Sequence, residues 1–306
     1  MDVRQLEALV AVAEHRTFSA AARALHTVQS NISTHVARLE KELGVLLVDR
    51  AVGKLTPEGE VVVARARRVS AEIEALTADV ASLTSEVSGR VRVGTIGTTG
   101  RWIAPHLLDH LELTHPRVEL ILTEGTTSGL LPLLQTAQID LAVVNMPLDD
   151  PDLAVRPLFD EDLIVIAPLE HPLAESNDVV TFKELSTHRL LLGPKGSVLR
   201  NDIDLAASEA GVRLRAKAQL DGVRLTATLA FQGFGAAVVP ATAIPTWAVP
   251  STFLRREIAE RPRRRVGLAV RRRGMLSAPA TAARDALQDV LDSQLASQPG
   301  LHAPDA

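Results

Sequence analysis

The sequence predicts a helical N-terminal region followed by an α/β region, joined by one long helix. Three observations support this prediction. Residues 4 to 43 carry apolar residues at helical spacing, residues 62 to 87 carry them on a seven-residue repeat, and beyond Gly89 short β-branched runs alternate with helical segments. A chain of 306 residues is long enough for two or three compact units.

The composition narrows the class of protein. Hydrophobic residues make up 46% of the chain and charged residues 23%, which is ordinary for a globular protein. The absence of cysteine excludes disulfides, thiolate metal sites and cysteine nucleophiles, and it fits a reducing compartment. Charged residues interrupt the first apolar pattern and no run of 18 uncharged apolar residues follows, so we expect neither a signal peptide nor a membrane span. We therefore expect a cytoplasmic protein.

Three short helices are predicted at the N-terminus. Apolar residues recur at helical spacing in the first two: Leu6, Leu9, Val10, Ala13, Phe18, Ala21, Ala22 and Leu25. His26–Val28 form a short turn, and the third helix runs from Gln29 to Leu43, where Gly44 is a natural C-terminal cap. Two helices joined by so short a turn are typical of a helix-turn-helix.

The third helix has two distinct faces. One is predicted to form a buried stripe of Ile32, Val36, Leu39 and Leu43. The other is small and polar near the helix N-terminus and basic further along: Gln29, Ser30, Ser33, Thr34, Ala37, Arg38 and Lys41. Such a face suits a helix whose first turns enter the major groove, although a solvated face of a small helical bundle has the same pattern. Net charge does not distinguish a DNA-binding face from a solvated one, because residues 1 to 56 hold seven basic and six acidic side chains.

A small hairpin is predicted after the third helix. Two short extended segments, Val45–Asp49 and Lys54–Thr56, flank a turn that begins at Arg50. Arg50 and Lys54 are then able to reach the DNA backbone or the minor groove, as in a winged helix-turn-helix. Thr56 followed by Pro57 predicts the N-cap and first position of the next helix.

That next helix is predicted to run to about Ser88. Its apolar residues alternate gaps of four and three: Val62, Ala66, Val69, Ile73, Leu76, Val80, Leu83 and Val87. A seven-residue repeat over more than three heptads indicates a coiled-coil seam, so we expect a homodimer that holds two recognition helices at a fixed spacing on a two-fold operator. A monomeric role for this helix remains the alternative.

Residues 6 to 59 resemble the LysR-type transcriptional regulators. The matching elements are Phe18-Ser19-Ala20-Ala21-Ala22, Leu25, Gln29-Ser30, Ile32-Ser33, Leu39-Glu40, Leu43-Gly44, Leu47, Arg50 and Leu55-Thr56-Pro57-Glu58-Gly59. Many members have Pro-Ala where Ser30-Asn31 stand and Arg at Thr34, so base contacts borrowed from the family are in doubt at those positions. Many also have Phe where Val48 stands, which we interpret as a packing change. The resemblance implies a sequence-specific DNA-binding regulator that responds to a small-molecule effector and, as in much of the family, forms tetramers.

The resemblance extends to the α/β region, which has the layout of the family's two-lobed effector domain of the type II periplasmic-binding-protein fold. Strands are predicted at Val91–Ile96, Val118–Thr123, Leu141–Val144, Leu163–Ala167, Leu190–Leu192, Ala236–Val239 and Val266–Val270, with helices around Trp102–Leu113 and Ser128–Ala137. The expected boundaries are residues 1–58 for the winged helix-turn-helix, 59–89 for the linker helix and 90–306 for the effector domain. Within the last, lobe I takes about 90–162 and 267–298, and lobe II about 163–266.

Polar residues at the carboxyl ends of strands predict the effector site. The segment Gly94–Arg101 is expected to be a loop at a helix N-terminus, where free N–H groups, hydroxyls and the helix dipole suit a carboxylate or phosphate, although a plain strand–helix turn has the same composition. Similar helix starts elsewhere favour one cleft. By resemblance to the family, the residues lining it would be Thr98, Thr99, Gly100, Thr126, Asn145 and Ser197. The low aromatic content of 3% favours polar recognition, so the effector is expected to be anionic.

Other motifs point to no further chemistry. His106 and His110 lie one turn apart, but no glutamate completes a metalloprotease motif, and we expect no metal or cofactor. Seven arginines from Arg261 to Arg273 flank an apolar run and are expected to be solvated strand ends. The segment 193–197 contains glycine and lysine but is too short for a P-loop. Two alternatives to a regulator remain, a solute-binding protein or enzyme on the two-lobed fold, and a nucleoid protein without an effector.

Overall fold

The structure, a computed structural model, describes residues 1–84, 86–175, 179–245 and 247–304. The chain forms two compact units. The first comprises α1 (Val3–His15), α2 (Phe18–Ala24), α3 (Gln29–Leu43), β1 (Val48–Asp49), β2 (Lys54–Leu55) and α4 (Pro57–Thr84). β1 and β2 pair as an antiparallel hairpin, so the predicted wing is present with strands shorter than expected.

Local sequence explains where these helices begin and end. Asp2 and Gln5 form a capping box at the start of α1, and the Thr56 hydroxyl accepts a hydrogen bond from the backbone N–H of Gly59 at 3.0 Å in the first turn of α4. α3 ends at Gly44, whose φ of 71° lies in the left-handed region that glycine adopts without strain. The first unit then packs around Leu9, Ile32, Val36, Leu39 and Leu47, all at most 2% exposed.

Two predictions about this unit were wrong in detail. Leu43 is 42% exposed, so the buried stripe of α3 ends one turn earlier, where the carboxylate-bearing Glu40 is buried instead. α4 ends at Thr84 and not near Ser88, because Ser88 already belongs to the first strand of the second unit; Val87 therefore lies outside the helix. Ser85 lies outside the described residues.

The second unit contains nearly all of the chain from Glu86 onwards. Its elements are β3 (Ser88–Ile96), α5 (Gly97–Thr114), β4 (Arg117–Gly125), α6 (Thr127–Gln135), β5 (Leu141–Met146), β6 (Leu153–Ala167), β7 (Val179–Val180), α7 (Phe182–Leu185), β8 (Arg189–Leu192), α8 (Val198–Glu209), β9 (Arg215–Gln219), α9 (Val223–Phe231), β10 (Ala237–Pro240), β11 (Leu254–Ile258), β12 (Arg263–Arg271), α10 (Ala278–Gln294) and β13 (Leu301–His302).

The strands build two α/β lobes that share β6. In lobe I, β4, β3 and β5 are parallel, and β12 joins them antiparallel between β5 and β6. In lobe II, β6 pairs antiparallel with β10 and β11, and β10, β8 and β9 are parallel. Each lobe has its own core: lobe I packs around residues such as Leu107, Leu130 and Val143, and lobe II around residues such as Phe182 and Val238. β6 is thus much longer than the predicted strand Leu163–Ala167, because it crosses from one lobe to the other.

The predicted glycine-rich loop between β3 and α5 is not a loop. β3 continues to Ile96 and α5 begins directly at Gly97. The glycines are explained by packing. A Cβ on Gly94 would lie 2.5 Å from the Ile139 Cδ1 atom, and one on Gly100 would lie 2.4 Å from the Thr95 Cγ2 atom. Glycine at these positions lets strand and helix approach closely.

Candidate functional site: nucleic-acid interface and ligand cleft

The polar face of α3 is accessible in the first unit. Gln29, Ser30, Asn31, Thr34 and Arg38 are exposed and Ser33 is half-buried. Several of these side chains already have local partners: Asn31 Nδ2 donates to Thr27 Oγ1 at 3.0 Å, and Thr34 Oγ1 donates to the Ser30 carbonyl at 2.8 Å. The N-cap residue Val28 provides no side-chain acceptor, although its carbonyl oxygen accepts from the Asn31 N–H at 3.1 Å. The N–H groups of Gln29 and Ser30 are therefore open to an acceptor such as a phosphate.

The wing is tied to α3 by a buried carboxylate that the sequence reasoning did not single out. Glu40, 8% exposed, accepts hydrogen bonds from the backbone N–H groups of Leu47 at 2.9 Å and Val48 at 3.3 Å. Arg50 Nη2 lies 3.3 Å from Glu40 Oε2, and the Arg50 guanidinium carbon lies 5.8 Å from the centre of the Phe18 ring. Arg50 therefore takes part in folding the wing and is half-exposed, whereas Lys54 is fully available to a partner.

A cavity of about 610 Å³ lies between the two lobes of the second unit. Thr98, Thr126, Asn145 and Ser197 line it, as the sequence predicts. The other two predicted effector residues lie outside its wall: Thr99 is fully buried and Gly100 packs on Thr95. The segment 193–197, which was too short for a P-loop, contributes Gly193, Pro194, Gly196 and Ser197 to the lining.

Four helices begin at this cavity. The first residues of α5, α6, α8 and α9 all belong to its lining: Gly97, Thr127, Val198 and Val223. No side chain caps the N-termini of α5, α8 and α9, whereas Thr126 Oγ1 accepts from the Gly129 N–H at 3.2 Å in α6. Helix N-termini carry a partial positive charge and unsatisfied N–H groups, so the cavity favours a ligand with acceptor or anionic groups.

Arg264 is the polar centre of the cleft. It is 3% exposed, and its Nε and Nη2 atoms lie 2.8 and 2.6 Å from Oε2 of Glu161, which is itself fully buried. Nη2 also donates to Thr98 Oγ1 at 2.9 Å and to Thr99 Oγ1 at 3.2 Å, and Nη1 lies 3.3 Å from Asn145 Oδ1. One guanidinium thus connects β12, the shared strand β6, and the two lobe I elements α5 and β5.

This arrangement corrects, for three of the seven arginines, the expectation that those between Arg261 and Arg273 are solvated strand ends. In the antiparallel register of β12 against β6, Arg263 faces Asp162, Arg264 faces Glu161 and Arg265 faces Asp160. All three pairs are ion pairs, at 2.9, 2.6 and 2.7 Å. The sequence contained a signal for this, because 160–162 is Asp-Glu-Asp and 263–265 is Arg-Arg-Arg.

Two more arginines bridge the lobes beside the cavity. Arg101 Nη2 on α5 donates to the backbone carbonyls of Thr242 at 2.8 Å and Ala243 at 2.6 Å in lobe II. Arg224 Nη2 on α9 lies 2.8 Å from Glu124 Oε2 on β4, so this ion pair spans the cleft. Burial lowers the pKa of Arg101, and the like charge of Arg224 lowers it further.

Asp202 on α8 is a second acid near the Arg264 centre. Its Oδ2 atom is buried and has no hydrogen-bond partner. Burial raises the pKa of Asp202, and the positive charge of Arg264 acts in the opposite direction. The charged form of the Asp202 carboxyl group is therefore disfavoured, because the attraction to Arg264 does not offset the effect of burial.

His106 and His110 have a spacing that is found in zinc sites. Within the described ranges, no group of three or more His, Cys, Asp and Glu side chains is placed to hold a metal ion. His110 Nε2 instead lies 3.4 Å from Asp289 Oδ2. Among those same ranges, none of the helices combines the length and apolar character that crossing a membrane requires.

Comparisons with known proteins match both units of the chain to one family. Residues 3–60 match the bacterial regulatory helix-turn-helix protein, lysR family, and residues 84–292 match the LysR substrate binding domain. The chain is 35% identical over 297 residues to a probable hydrogen peroxide-inducible genes activator of Streptomyces viridosporus, covering 94% of each protein. It is 31% identical over 274 residues to the DNA-binding transcriptional dual regulator OxyR of Escherichia coli, covering 89% of this chain and 90% of that one. A cysteine-substituted full-length OxyR from Pseudomonas aeruginosa has the same fold with a TM-score of 0.77 and 27% identity, over 100% of this chain and 99% of the other. The chain therefore belongs to the LysR family of DNA-binding transcriptional regulators.

Proposed function

We propose that this regulator changes its operator binding when a small molecule binds reversibly in the cleft between the two lobes. The observation that carries the proposal is the cavity of about 610 Å³, into which Arg264 and the ends of four helices converge. A ligand that favours one arrangement of the lobes shifts the population of the whole protein towards that arrangement. The protein then acts by binding, with no catalysed reaction.

The signal is proposed to be a bound molecule and not a thiol modification. Relatives of this chain are named as hydrogen peroxide-inducible genes activators. This chain has no cysteine, so it cannot form a sulfenic acid or a disulfide. The predicted preference for an anionic effector is supported by the uncapped starts of α5, α8 and α9 at the cavity.

The DNA-reading surface is proposed to be the exposed face of α3 together with the wing. Gln29, Ser30, Asn31, Ser33 and Thr34 would meet base edges, and Arg38, Arg50 and Lys54 would meet phosphates or the minor groove. Residues 1–58 would form this domain, and α4, which ends at Thr84, would be the linker helix.

Dimerisation is proposed to use α4. Ala66 of its repeat is buried in the core of the first unit, but the later apolar residues are exposed in the monomer: Val69 at 41%, Ile73 at 42%, Leu76 at 65%, Val80 at 59% and Leu83 at 85%. A row of exposed apolar side chains at coiled-coil spacing suits a second copy of the same helix. Tetramers would form by a further contact between dimers.

The test begins with selection of genomic DNA fragments that the full-length protein retains, which supplies an operator for fluorescence anisotropy. Ser33→Phe is expected to abolish operator binding while the melting temperature stays unchanged. Ser197→Phe, which fills the cleft, is expected to retain operator binding but to lose the response to small anions. Hydrogen peroxide is expected to leave operator affinity unchanged. A change in operator affinity on addition of hydrogen peroxide would contradict the proposal, as would full operator affinity in Ser33→Phe.

A further inference from the structure

The ion pair between Glu124 and Arg224 crosses the cleft at the wall of the cavity. Both residues line the cavity, Glu124 from β4 in lobe I and Arg224 from α9 in lobe II. The side chains are 45% and 50% exposed, and their atoms Oε2 and Nη2 are 2.8 Å apart. The pair is therefore close and direct, but solvent reaches it.

Arg101 is a third charged residue beside this ion pair. Arg101 lies near enough for its charge to interact with both Arg224 and Glu124, so two guanidinium groups share one carboxylate here. Arg101 is occupied by the backbone carbonyls of Thr242 and Ala243. Glu124 therefore forms its ion pair with Arg224. An anion bound near Arg224 would reduce the remaining repulsion between Arg224 and Arg101.

The fold leaves room for the Glu124 carboxylate beside α5. A Cβ on Gly97, the first residue of α5, would lie 2.7 Å from Glu124 Oε1 and 3.6 Å from Arg224 Cγ. The carboxylate therefore lies against the start of a helix whose N-cap has no side-chain acceptor. In this position Glu124 resembles a bound anion, because it combines a helix N-terminus with an arginine partner.

We propose that Arg224 is an anion-binding residue of the cleft, and that Glu124 competes with the carboxylate or phosphate of the effector for it. This proposal rests on the proposed function of the cleft. An effector that takes Arg224 releases Glu124, and the direct link between β4 and α9 is then replaced by contacts to the ligand. The competition therefore connects ligand binding to the arrangement of the two lobes.

The exposure of the pair sets the size of the effect. An ion pair between half-exposed side chains contributes only modestly, which corresponds to about a two- to fivefold change in a binding constant. Glu124 is therefore a weak competitor that an anionic ligand can displace. Its removal should strengthen anion binding by that factor, and removal of Arg224 should weaken it.

The experiment measures the affinity of the full-length protein for inorganic phosphate and, separately, for oxalate by isothermal titration calorimetry. Three variants are compared with the unchanged protein. Glu124→Gln removes the competitor, Arg224→Gln removes the anion partner, and Glu119→Gln is the matched control. Glu119 lies on the same strand and forms a similar ion pair with Arg90, at 2.7 Å with both side chains 61% exposed, but it does not line the cavity.

We expect Glu124→Gln to bind at least one of the two anions about two- to fivefold more tightly, Arg224→Gln to bind it more weakly, and Glu119→Gln to match the unchanged protein. A preference for phosphate or for oxalate would identify the type of effector headgroup. Equal or weaker binding by Glu124→Gln overturns the proposal, and so does the absence of measurable binding by both the unchanged protein and Glu124→Gln. This comparison decides the matter even if Arg224→Gln does not fold.

A further variant separates this proposal from the function of the cleft. If Arg224→Gln keeps full anion affinity while Ser197→Phe loses it, Arg224 is not the anion partner but the cleft is still the binding site. If Ser197→Phe also keeps full affinity, the anions bind outside the cleft, and both proposals fail.

Discussion

Glu161 is the fully buried carboxylate that pairs with Arg264, and its removal should strongly destabilise the second unit. Its carboxylate accepts two hydrogen bonds from Arg264, at 2.8 and 2.6 Å, and one from the backbone N–H of Thr242, at 2.6 Å. Glu161→Ala leaves Arg264 Nε and the Thr242 N–H without their acceptor, whereas Arg264 Nη2 keeps Thr98 and Thr99, and each unsatisfied buried donor costs about 1–3 kcal/mol. Breaking a buried ion pair by removing one partner typically costs about 3–5 kcal/mol, so we expect the free energy of unfolding to fall by about 3–5 kcal/mol.

Tryptophan fluorescence during urea denaturation measures this loss. Trp102 packs edge-to-face on Phe159 with ring centres 5.7 Å apart, two residues before Glu161. The second tryptophan of the chain, Trp247, is 78% exposed, and Trp247→Phe removes its signal. In that background Glu119→Ala, which breaks the exposed pair with Arg90, should cost less than about 1 kcal/mol.

A double variant tests whether the cost comes from the unpaired charge. Glu161→Met combined with Arg264→Met removes both charges, and replacing a buried ion pair by apolar side chains of similar size is often neutral or stabilising. We therefore expect the double variant to be more stable than Glu161→Ala. A loss of unfolding free energy in Glu161→Ala no larger than that in Glu119→Ala would refute this role of the buried ion pair.

Three further predictions concern other parts of the chain. Burial raises the pKa of Asp202, so the folded state binds its proton more tightly than the unfolded chain and loses stability as pH rises through the folded-state pKa. Asp202→Asn should then raise the melting temperature by about 1–4 °C at pH 7, and by less as pH falls towards about 4. A variant that melts below the unchanged protein at pH 7 would contradict this. A Cβ on Gly59 would lie 2.0 Å from the Leu47 carbonyl oxygen, so Gly59→Ala should destabilise the first unit by about 1–3 kcal/mol and weaken operator binding. The control Glu58→Ala should do neither, and equal stability of the two variants in thermal melts would refute this steric explanation. Leu76→Glu should shift the protein towards monomers in sedimentation velocity, and an unchanged sedimentation coefficient would exclude this part of α4 from the dimer contact.

Much of the first unit could be predicted from neighbouring residues. The buried positions Ile32, Val36 and Leu39 follow from helical spacing, and Gly44 follows from the need for a left-handed residue at the end of α3. These features depend on residues within one or two helical turns. Glu40 could not be found in this way, because it is buried only once the wing brings the N–H groups of Leu47 and Val48 to it.

The cleft was predictable in outline. Thr98, Thr126, Asn145 and Ser197 follow strands or begin helices, and the carboxyl ends of neighbouring parallel strands meet at one edge of a sheet. Thr99 and Gly100 show the limit of this reasoning. They were expected to line the cleft, but they lie on other faces of α5. Thr99 points into the interior, and Gly100 packs against Thr95.

The helix-turn-helix, the apolar repeat of α4 and the alternation of strands and helices follow from the sequence alone, because local spacing of apolar residues is sufficient to specify them. Which charges are buried, and which partners they have, depends on the fold. Arg264 and Glu161 are 103 residues apart, and an arginine is stable in the interior only when the fold delivers a carboxylate to it. Glu124 and Arg224 likewise meet only because β4 and α9 belong to opposite walls of one cleft.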